Sequence, residues 1–153
     1  MAVSSTAQPT GLNGTDFGPF TTTVETGALK LFARVIGLTD PVHTDTAAAV
    51  AAGDPGPLVP PTFLFSLERG HPELHTIVRR LGIDVGSMLH GEQRFRYDAP
   101  TFAGDELTFR PRLTDAYERK GGALRFFVRE TTVTRGGVVV AELRNVLIAR
   151  SGR

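Results

Sequence analysis

The sequence contains no cysteine and no long hydrophobic run. Without thiols the chain forms no disulfide framework and performs no thiolate chemistry, which fits a reducing compartment. Because no apolar run reaches about 18 residues, we expect no membrane-spanning helix and no membrane partner. Residues 1–18 have neither a basic start nor an apolar block, so they do not resemble a secretory signal. We therefore expect a cytoplasmic protein.

An excess of charge of one sign is also absent. The formal net charge is +1, and the arginines are scattered along strand-like segments. Nucleic-acid binding needs a clustered basic surface, so this distribution argues against a nucleic-acid partner. The histidines and acids nowhere show metal-site spacing, and there is no glycine-rich phosphate loop. We expect neither a metal nor an organic cofactor.

The length and composition are those of one globular domain. The chain has 153 residues, of which 41% are hydrophobic and 22% charged, so the expected core needs no disulfide or metal to support it. Residues 1–16 are rich in Ser, Thr, Gly and Pro, and we expect a flexible tail there. Residues 17–150 are then the single domain.

The first half of this domain shows helical periodicity. After a short strand predicted over residues 20–25, apolar residues recur at i, i+3, i+4 and i+7, which predicts a helix that Gly37 ends. A short helix capped by Thr44 or Asp45 and a longer one over residues 71–82 are also predicted. The recurring residues of the first helix are Leu29, Phe32, Ala33 and Ile36.

Another predicted helix, over residues 62–69, has almost no polar face. Pro61 suits its first turn, where a missing N–H costs nothing. A helix that is apolar on nearly every side is normally buried. We therefore expect this helix to lie at the centre of the domain.

From Met88 onward the hydrophobic period changes to two, which predicts four long antiparallel strands. Strict alternation along the first of them places Gln93 on one side and His90 on the other. Glycine-rich turns at 120–122 and 135–137 separate the later strands. A curved antiparallel sheet wrapped around a buried helix is the α+β hot-dog architecture, and this is the fold we expect.

An acid, a proline and a histidine stand together just after the first helix, as Asp40, Pro41 and His43. An imidazole titrates near neutrality, so His43 is suited to hold or deprotonate a water molecule. Asp40 could orient His43 or act as a second acid or base. Asp-Pro is also a common turn initiator, and a loop histidine often bonds to backbone. A purely structural role for the pair is therefore the alternative.

Four segments stand in an order that resembles a known family. They read F-A-R-V-I-G-L-T-D-P-V-H-T-D, V-P-P-T-F-L-F, L-H-G-E-Q-R-F-R-Y and A-P-T-F-A-G-D-E-L. Together they resemble the MaoC-like dehydratases and (R)-specific enoyl-CoA hydratases of the hot-dog superfamily, and most of all the N-terminal half of paired dehydratases. The hydratase signature of that family reads approximately Gly-Asp-x-Asn-Pro-(aliphatic)-His. Gly37, Pro41 and His43 match it, whereas Leu38 occupies the place of the catalytic Asp and Asp40 that of the Asn.

The resemblance implies an acyl-thioester hydratase or dehydratase. Such an enzyme interconverts an enoyl-CoA, or an enoyl-carrier protein, and an (R)-3-hydroxyacyl thioester through a water held by His43 and Asp40, without a cofactor. A backbone N–H at the start of the central helix usually holds the enolate oxygen, and prolines leave Thr62 and Phe63 as the first donors. His90 and Gly91 are candidates to contact the thioester arm, since a strand glycine allows close approach.

Two other functions are compatible with the same residues. Leu38 in the acid's position favours a non-catalytic or substrate-binding subunit whose partner supplies the Asp/His pair. A hot-dog thioesterase would need an acid on the central helix, where Glu68 is the only one. Each hypothesis expects an acyl-CoA or acyl-carrier-protein ligand and a homodimer or heterodimer with a related hot-dog chain, because pairing buries the open sheet edge.

Overall fold

The computed structural model describes residues 13–74, 78 and 83–150. The strands of this part of the chain are β1 (Phe20–Thr23), β2 (Met88–Tyr97), β3 (Glu106–Arg119), β4 (Leu124–Arg135) and β5 (Val138–Arg150). Its α-helices are α1 (Thr26–Val35), α2 (Thr46–Ala51) and α3 (Phe63–Glu68), and short 3-10 turns occur at Pro41–His43 and Val85–Ser87.

All five strands form one antiparallel sheet in the order β1-β3-β4-β5-β2. The long strands β3, β4 and β5 are consecutive neighbours, and β2 returns to pair with β5 at the edge. Gly136 and Gly137, both with positive φ, form the tight turn between β4 and β5. The predicted α+β hot-dog fold is confirmed, with α3 as its central helix.

The core lies between α3 and one face of the sheet, which we call the inner face. Phe63 and Leu64 of α3 are buried and belong to one apolar cluster with Leu107, Phe109 and Leu143. Burying a Phe or Leu side chain stabilises a fold by about 1.5–3 kcal/mol. The apolar sequence of α3 is therefore explained by its position, as the periodicity predicted.

A β-bulge in β2 changes the predicted orientation of one residue. The pairing of β2 with β5 shifts register between His90 and Glu92, so Gly91 is the extra residue. As a result, His90 and Gln93 both contact the side chain of Asn145. Strict alternation placed His90 and Gln93 on opposite sides, and this prediction was wrong because a bulge adds one residue to the count.

Residues 13–16 run along β3. The Gly14 N–H donates to the Leu113 carbonyl at 2.7 Å, and Asp16 forms ion pairs with Arg110 and Arg112. The Gly18 amide, which donates to the Asp16 carboxylate, holds the pKa of Asp16 below its ordinary value, and the two guanidinium groups act in the same direction. The boundaries of the tail and of the domain stay predictions.

The helix predicted over residues 71–82 is described only in part. The backbone is helical at residues 72–74 and at 78, whereas 75–77 and 79–82 lie outside the described residues. Within the described ranges, no helix has the length and apolar character needed to cross a membrane. The cytoplasmic location stays a prediction.

Candidate functional site

The loop after α1 is built around a single 3-10 turn. Pro41 supplies the fixed φ of its first residue, and the Asp40 Oδ1 accepts a hydrogen bond from the Val42 N–H at 3.0 Å. Asp40 is exposed and acts as the cap of this turn. Among the described residues, no contact joins its carboxylate to His43.

The ring of His43 is fixed by a backbone carbonyl. Its Nδ1 lies 2.7 Å from the Leu58 oxygen, and the Leu58 N–H in turn donates to the Val42 carbonyl at 3.0 Å. A carbonyl only accepts, so Nδ1 must carry the proton. In the neutral ring, Nε2 is then the free acceptor, which is the tautomer that a general base requires.

His43 lines an open cavity of about 530 Å³, which we call the His43 cavity. Its other lining residues are Leu58, Val59, Pro61, Tyr97, Asp98, Ala99, Pro100 and Thr101. Asp98 is the one carboxylate among them, and its Oδ2 accepts from the Arg96 guanidinium at 3.1 Å. Neither Leu38 nor Asp40 is part of this lining.

Tyr97, which lines the His43 cavity, has a hydroxyl that stays protonated. Tyr97 is 41% exposed, and the burial of the rest of the residue raises its pKa to about 12 by reducing the solvation of the ionised phenol. The phenol can therefore donate a hydrogen bond throughout the physiological pH range. Its ring stacks on Phe95, with the ring centroids 6.0 Å apart.

The two predicted backbone donors at the start of α3 lie outside this lining. The Phe63 N–H donates to the Pro60 carbonyl at 3.0 Å, and the Phe63 side chain is buried against Phe32. Thr62 is exposed, and its N–H has no partner among the described residues. Of the two amides, only that of Thr62 is available to a ligand.

A second cavity, of about 490 Å³, lies against the later part of α3 and the inner face of the sheet. We call it the Asn145 cavity. It is lined by Phe65, Arg69, Leu74, Val78, Val85, Met88, Leu89, His90, Arg129, Asn145 and Leu147. The His90 ring stacks on Phe65 with centroids 5.2 Å apart and an interplanar angle of 12°. Both cavities have volumes within the range of about 300–1,000 Å³ that is typical of small-ligand sites.

A buried ion pair forms part of the wall of the Asn145 cavity. The Glu68 carboxylate, fully buried at the end of α3, accepts two hydrogen bonds from Arg129 at 3.2 and 2.9 Å. The Thr131 hydroxyl donates to the same carboxylate. Glu68 is thus fully engaged in joining α3 to β4, which weighs against its use as a thioesterase acid.

The predicted site residues therefore divide between separate places. His43 lines the first cavity, His90 lines the second, and Gly91 forms the bulge beside it. No group of three or more His, Asp or Glu side chains in the described ranges is arranged to hold a metal ion. The catalytic and binding roles of these residues stay predictions.

Sequence reasoning did not single out Tyr97, Asp98, Arg129 and Asn145, which line the two cavities. For Tyr97 and Asp98 a signal was present, since alternation stops there just before Ala99-Pro100 and strand ends commonly border sites. Arg129 and Asn145 are adjacent partners on β4 and β5. Two polar residues facing each other on the inner side of a sheet become visible only when the strand register is known.

The family model for the FAS1-like dehydratase domain region matches residues 12–143. The chain belongs to this family. A UPF0336 protein of Parafrankia sp. (strain EAN1pec) is 37% identical over 122 residues, which are 80% of each protein. The expected relation to MaoC-like dehydratases is thereby confirmed at the level of the family.

Solved structures agree with this assignment. A chain of the C-terminally truncated HadBC (3R-hydroxyacyl-ACP dehydratase) complex from Mycobacterium tuberculosis is 26% identical, with a TM-score of 0.78 over 92% of this chain and 98% of that one. A MaoC-like dehydratase is 22% identical, with a TM-score of 0.79, and the match covers 92% of this chain but 42% of that protein. At 22% identity, this second match shows that the two folds are alike and no more.

Proposed function

We propose that this chain is the substrate-binding subunit of a two-chain acyl-thioester dehydratase. Its partner is a related hot-dog chain that supplies the catalytic Asp/His pair. The ligand is an acyl-CoA or an acyl-carrier-protein thioester, and the reaction of the pair interconverts an enoyl and an (R)-3-hydroxyacyl thioester.

The position of the acids around His43 carries this proposal. Leu38 stands where the family has its catalytic Asp, and its N–H is tied to the Ala33 carbonyl at 2.9 Å. The carboxylate of Asp40, the other acid beside His43, accepts a hydrogen bond from the Val42 N–H. Hydration needs one group to activate water and another to protonate the α-carbon. The loop itself offers His43 alone.

The open edge of β2 supports a two-chain assembly. Among the described strands β2 pairs with β5 only, so its other side presents unpaired backbone groups. Leu89 and Tyr97 on this strand are 46% and 41% exposed. Free edges of this kind are normally covered in native proteins. The similarity to a chain of the HadBC complex, which contains two different subunits by name, points the same way.

A second candidate is a self-sufficient hydratase, and the lining of the His43 cavity favours it. His43, Asp98 and Tyr97 are all lining residues of that one cavity. In this arrangement His43 activates the water, Asp98 is the second acid or base, and Tyr97 donates to the thioester oxygen. The exposed Asp98–Arg96 pair must then open during the reaction.

The test compares the chain alone with the chain mixed with a related hot-dog protein that carries the complete Gly-Asp-x-Asn-Pro-(aliphatic)-His signature. Loss of crotonyl-CoA absorbance reports hydration. We expect no turnover by either chain alone, turnover by the mixture, and less than about a tenfold change in kcat for His43→Ala in the mixture. Loss of a true acid or base costs about 10²–10⁴-fold.

Turnover by the isolated chain that falls at least a hundredfold in both His43→Ala and Asp98→Asn would instead establish the second candidate. Tyr117→Phe is a matched control, because Tyr117 lies on β3 away from the His43 lining. Release of free thiol in place of hydration would contradict both functions.

A further inference from the structure

We propose that the Asn145 cavity binds an uncharged amphipathic group: an apolar chain that carries a polar function able both to donate and to accept a hydrogen bond. This inference deepens the proposed substrate-binding role by naming the chemistry that the subunit recognises. Ligand binding by the isolated chain tests it, so it can fail or succeed independently of whether a catalytic partner exists.

Most of the cavity wall is apolar, as a chain of methylene groups requires. Leu74, Val78, Met88 and Leu147 provide this part, and the exposed Val85 and Leu89 stand at its rim. Burial of apolar ligand surface supplies affinity there, while a few fixed polar groups supply orientation. The polar part of the wall therefore decides which functional group a ligand must carry.

Two of the polar lining residues belong to a row across three strands. The others are His90 and the exposed Arg69, whose guanidinium lies over the Phe65 ring at 5.9 Å from its centroid. Asn145 on β5 lies opposite Arg129 on β4 and opposite Gln93 on β2. In the rows on either side, β5 contributes Leu143 and Leu147, so the polar row interrupts an apolar inner face. Of its three members, Arg129 and Asn145 line the cavity.

Arg129 offers a hydrogen-bond donor, and its ion pair with Glu68 has no net charge. Its Nε and one terminal nitrogen are bound to Glu68, whose carboxylate neutralises the guanidinium inside the fold. The other terminal nitrogen, Nη1, has no partner among the described residues. An uncharged oxygen can accept from it without the cost of bringing a second anion next to Glu68.

Asn145 has an acceptor that lacks a hydrogen-bond donor. It is 2% exposed, and its Oδ1 is buried without a hydrogen-bond partner among the described residues. Its Nδ2, with two hydrogens, faces three acceptors: His90 Nε2, the Glu92 carbonyl and Gln93 Oε1. Turning the amide over would only exchange which of its atoms stays unpaired. One amide position of this cavity-lining residue therefore lacks a partner in either orientation.

A group with one donor and one acceptor complements these two residues. Its oxygen accepts from the Arg129 Nη1, and its N–H or O–H donates to Asn145. Two kinds of acyl-thioester parts have this chemistry: the secondary amides of a pantetheine-type arm and a hydroxyl on a modified acyl chain. An unmodified hydrocarbon chain or an ionised carboxylate lacks one of the two functions.

Four probes of similar length test the proposal on the full chain by ligand-observed NMR: N-octylacetamide, 1-octanol, methyl octyl ether and octanoate. We expect the amide or the alcohol to bind about tenfold more tightly than the ether, as one added hydrogen bond gives. A preference for the amide names the arm as the source, and a preference for the alcohol names the hydroxylated chain.

Two substitutions locate the effect. Asn145→Leu should reduce the affinity for the amide and the alcohol to that of the ether, while Gln93→Leu, in the same row but outside the cavity lining, should keep the preference. Leu147→Phe fills the apolar part and should weaken all four probes together. If Asn145→Leu does not fold, judged by circular dichroism, Leu147→Phe and the wild-type ranking decide.

Equal affinity for all four probes would overturn the proposal, because the cavity would then be merely apolar. Tightest binding of octanoate would overturn it too, since an anion site would be present. A preference that survives Asn145→Leu, or the absence of binding at millimolar probe, has the same consequence.

Discussion

Two cavities, one beside the segment that leads into α3 and one beside the end of α3, are built in opposite ways. The His43 cavity takes its polar groups from a loop and a strand end, and its loop histidine is bound to the nearby Leu58 carbonyl. The Asn145 cavity takes most of them from three strands joined by long-range pairing. Single substitutions in the loop should therefore have local effects, whereas substitutions in the polar row should also disturb the core.

The largest effect that separates the two regions should come from the ion pair under the Asn145 cavity. Glu68→Leu leaves Arg129 buried without its anion, which we expect to lower the free energy of unfolding by about 3–5 kcal/mol. The double substitution Glu68→Leu/Arg129→Met removes both charges and should recover most of that loss. Urea unfolding measures both variants.

Arg144→Met serves as the control for this experiment. Arg144 pairs with Glu92 and Glu130 but is more exposed than Arg129, so its loss should cost at most about 1 kcal/mol. Equal destabilisation of the single and the double variant would show that the pair itself is not what holds α3 on β4.

A smaller effect is expected at the bulge beside the Asn145 cavity. A Cβ on Gly91 would lie 2.8 Å from the Ile148 Cδ1 and 3.2 Å from the Val146 oxygen. Gly91→Ala should therefore lower the free energy of unfolding by about 1–3 kcal/mol through overpacking. Ile148→Val deletes the methyl group in the way, so the double variant should be more stable than Gly91→Ala alone. No such recovery would mean that the contacts left in place, with Ile148 Cγ1 at 3.0 Å and the Val146 oxygen, set the limit.

Around the His43 cavity the expected effect on stability is about 1 kcal/mol. His43→Ala removes the hydrogen bond to the Leu58 carbonyl, which typically contributes that amount. His43→Asn can place an N–H near the position of Nδ1 and should keep part of it. Thermal unfolding of the three proteins gives the order, and an alanine variant as stable as the parent would contradict a structural role for this contact.

The last effect is confined to high pH and concerns Tyr97. Because its folded pKa is raised to about 12 from an ordinary value of 10.0, the folded state holds the phenolic proton more tightly than the unfolded state. Its contribution to stability is complete below pH 10 and disappears as the pH rises towards 12. Phenolate absorbance should show this late titration, Tyr97→Phe should remove it, and Tyr117→Phe should keep it.

The fold was accessible from the sequence because its signals are local. The change of period at Met88, the turn glycines and the apolar helix over 62–69 predicted four long strands around a central helix. The glycine turn predicted at 135–137 directly precedes the last strand, Val138–Arg150. The bulge at Gly91 broke the counting on β2, and one shifted residue was enough to misplace His90.

The candidate site was less accessible, since its contacts join distant parts of the chain. Glu68 looked like an isolated acid on an apolar helix, and its partners Arg129 and Thr131 follow about sixty residues later. Asp40 shows the reverse case, where the Asp-Pro turn signal already contained the capping role that the structure displays. The local capping contact of Asp40 could be predicted, whereas the residues that share the cavity with His43 could not.

The strand β2 contributes residues to both cavities and is also one of the two edge strands of the sheet. Leu89 and His90 border one cavity, and Tyr97 and Asp98 border the other. A partner that pairs along this edge would restrict the motion of both walls, so assembly and ligand binding would be thermodynamically linked. The linkage is reciprocal: whatever factor the partner adds to ligand affinity, the ligand adds to subunit affinity. The dissociation constant of the assembled pair would then itself report whether a cavity is filled.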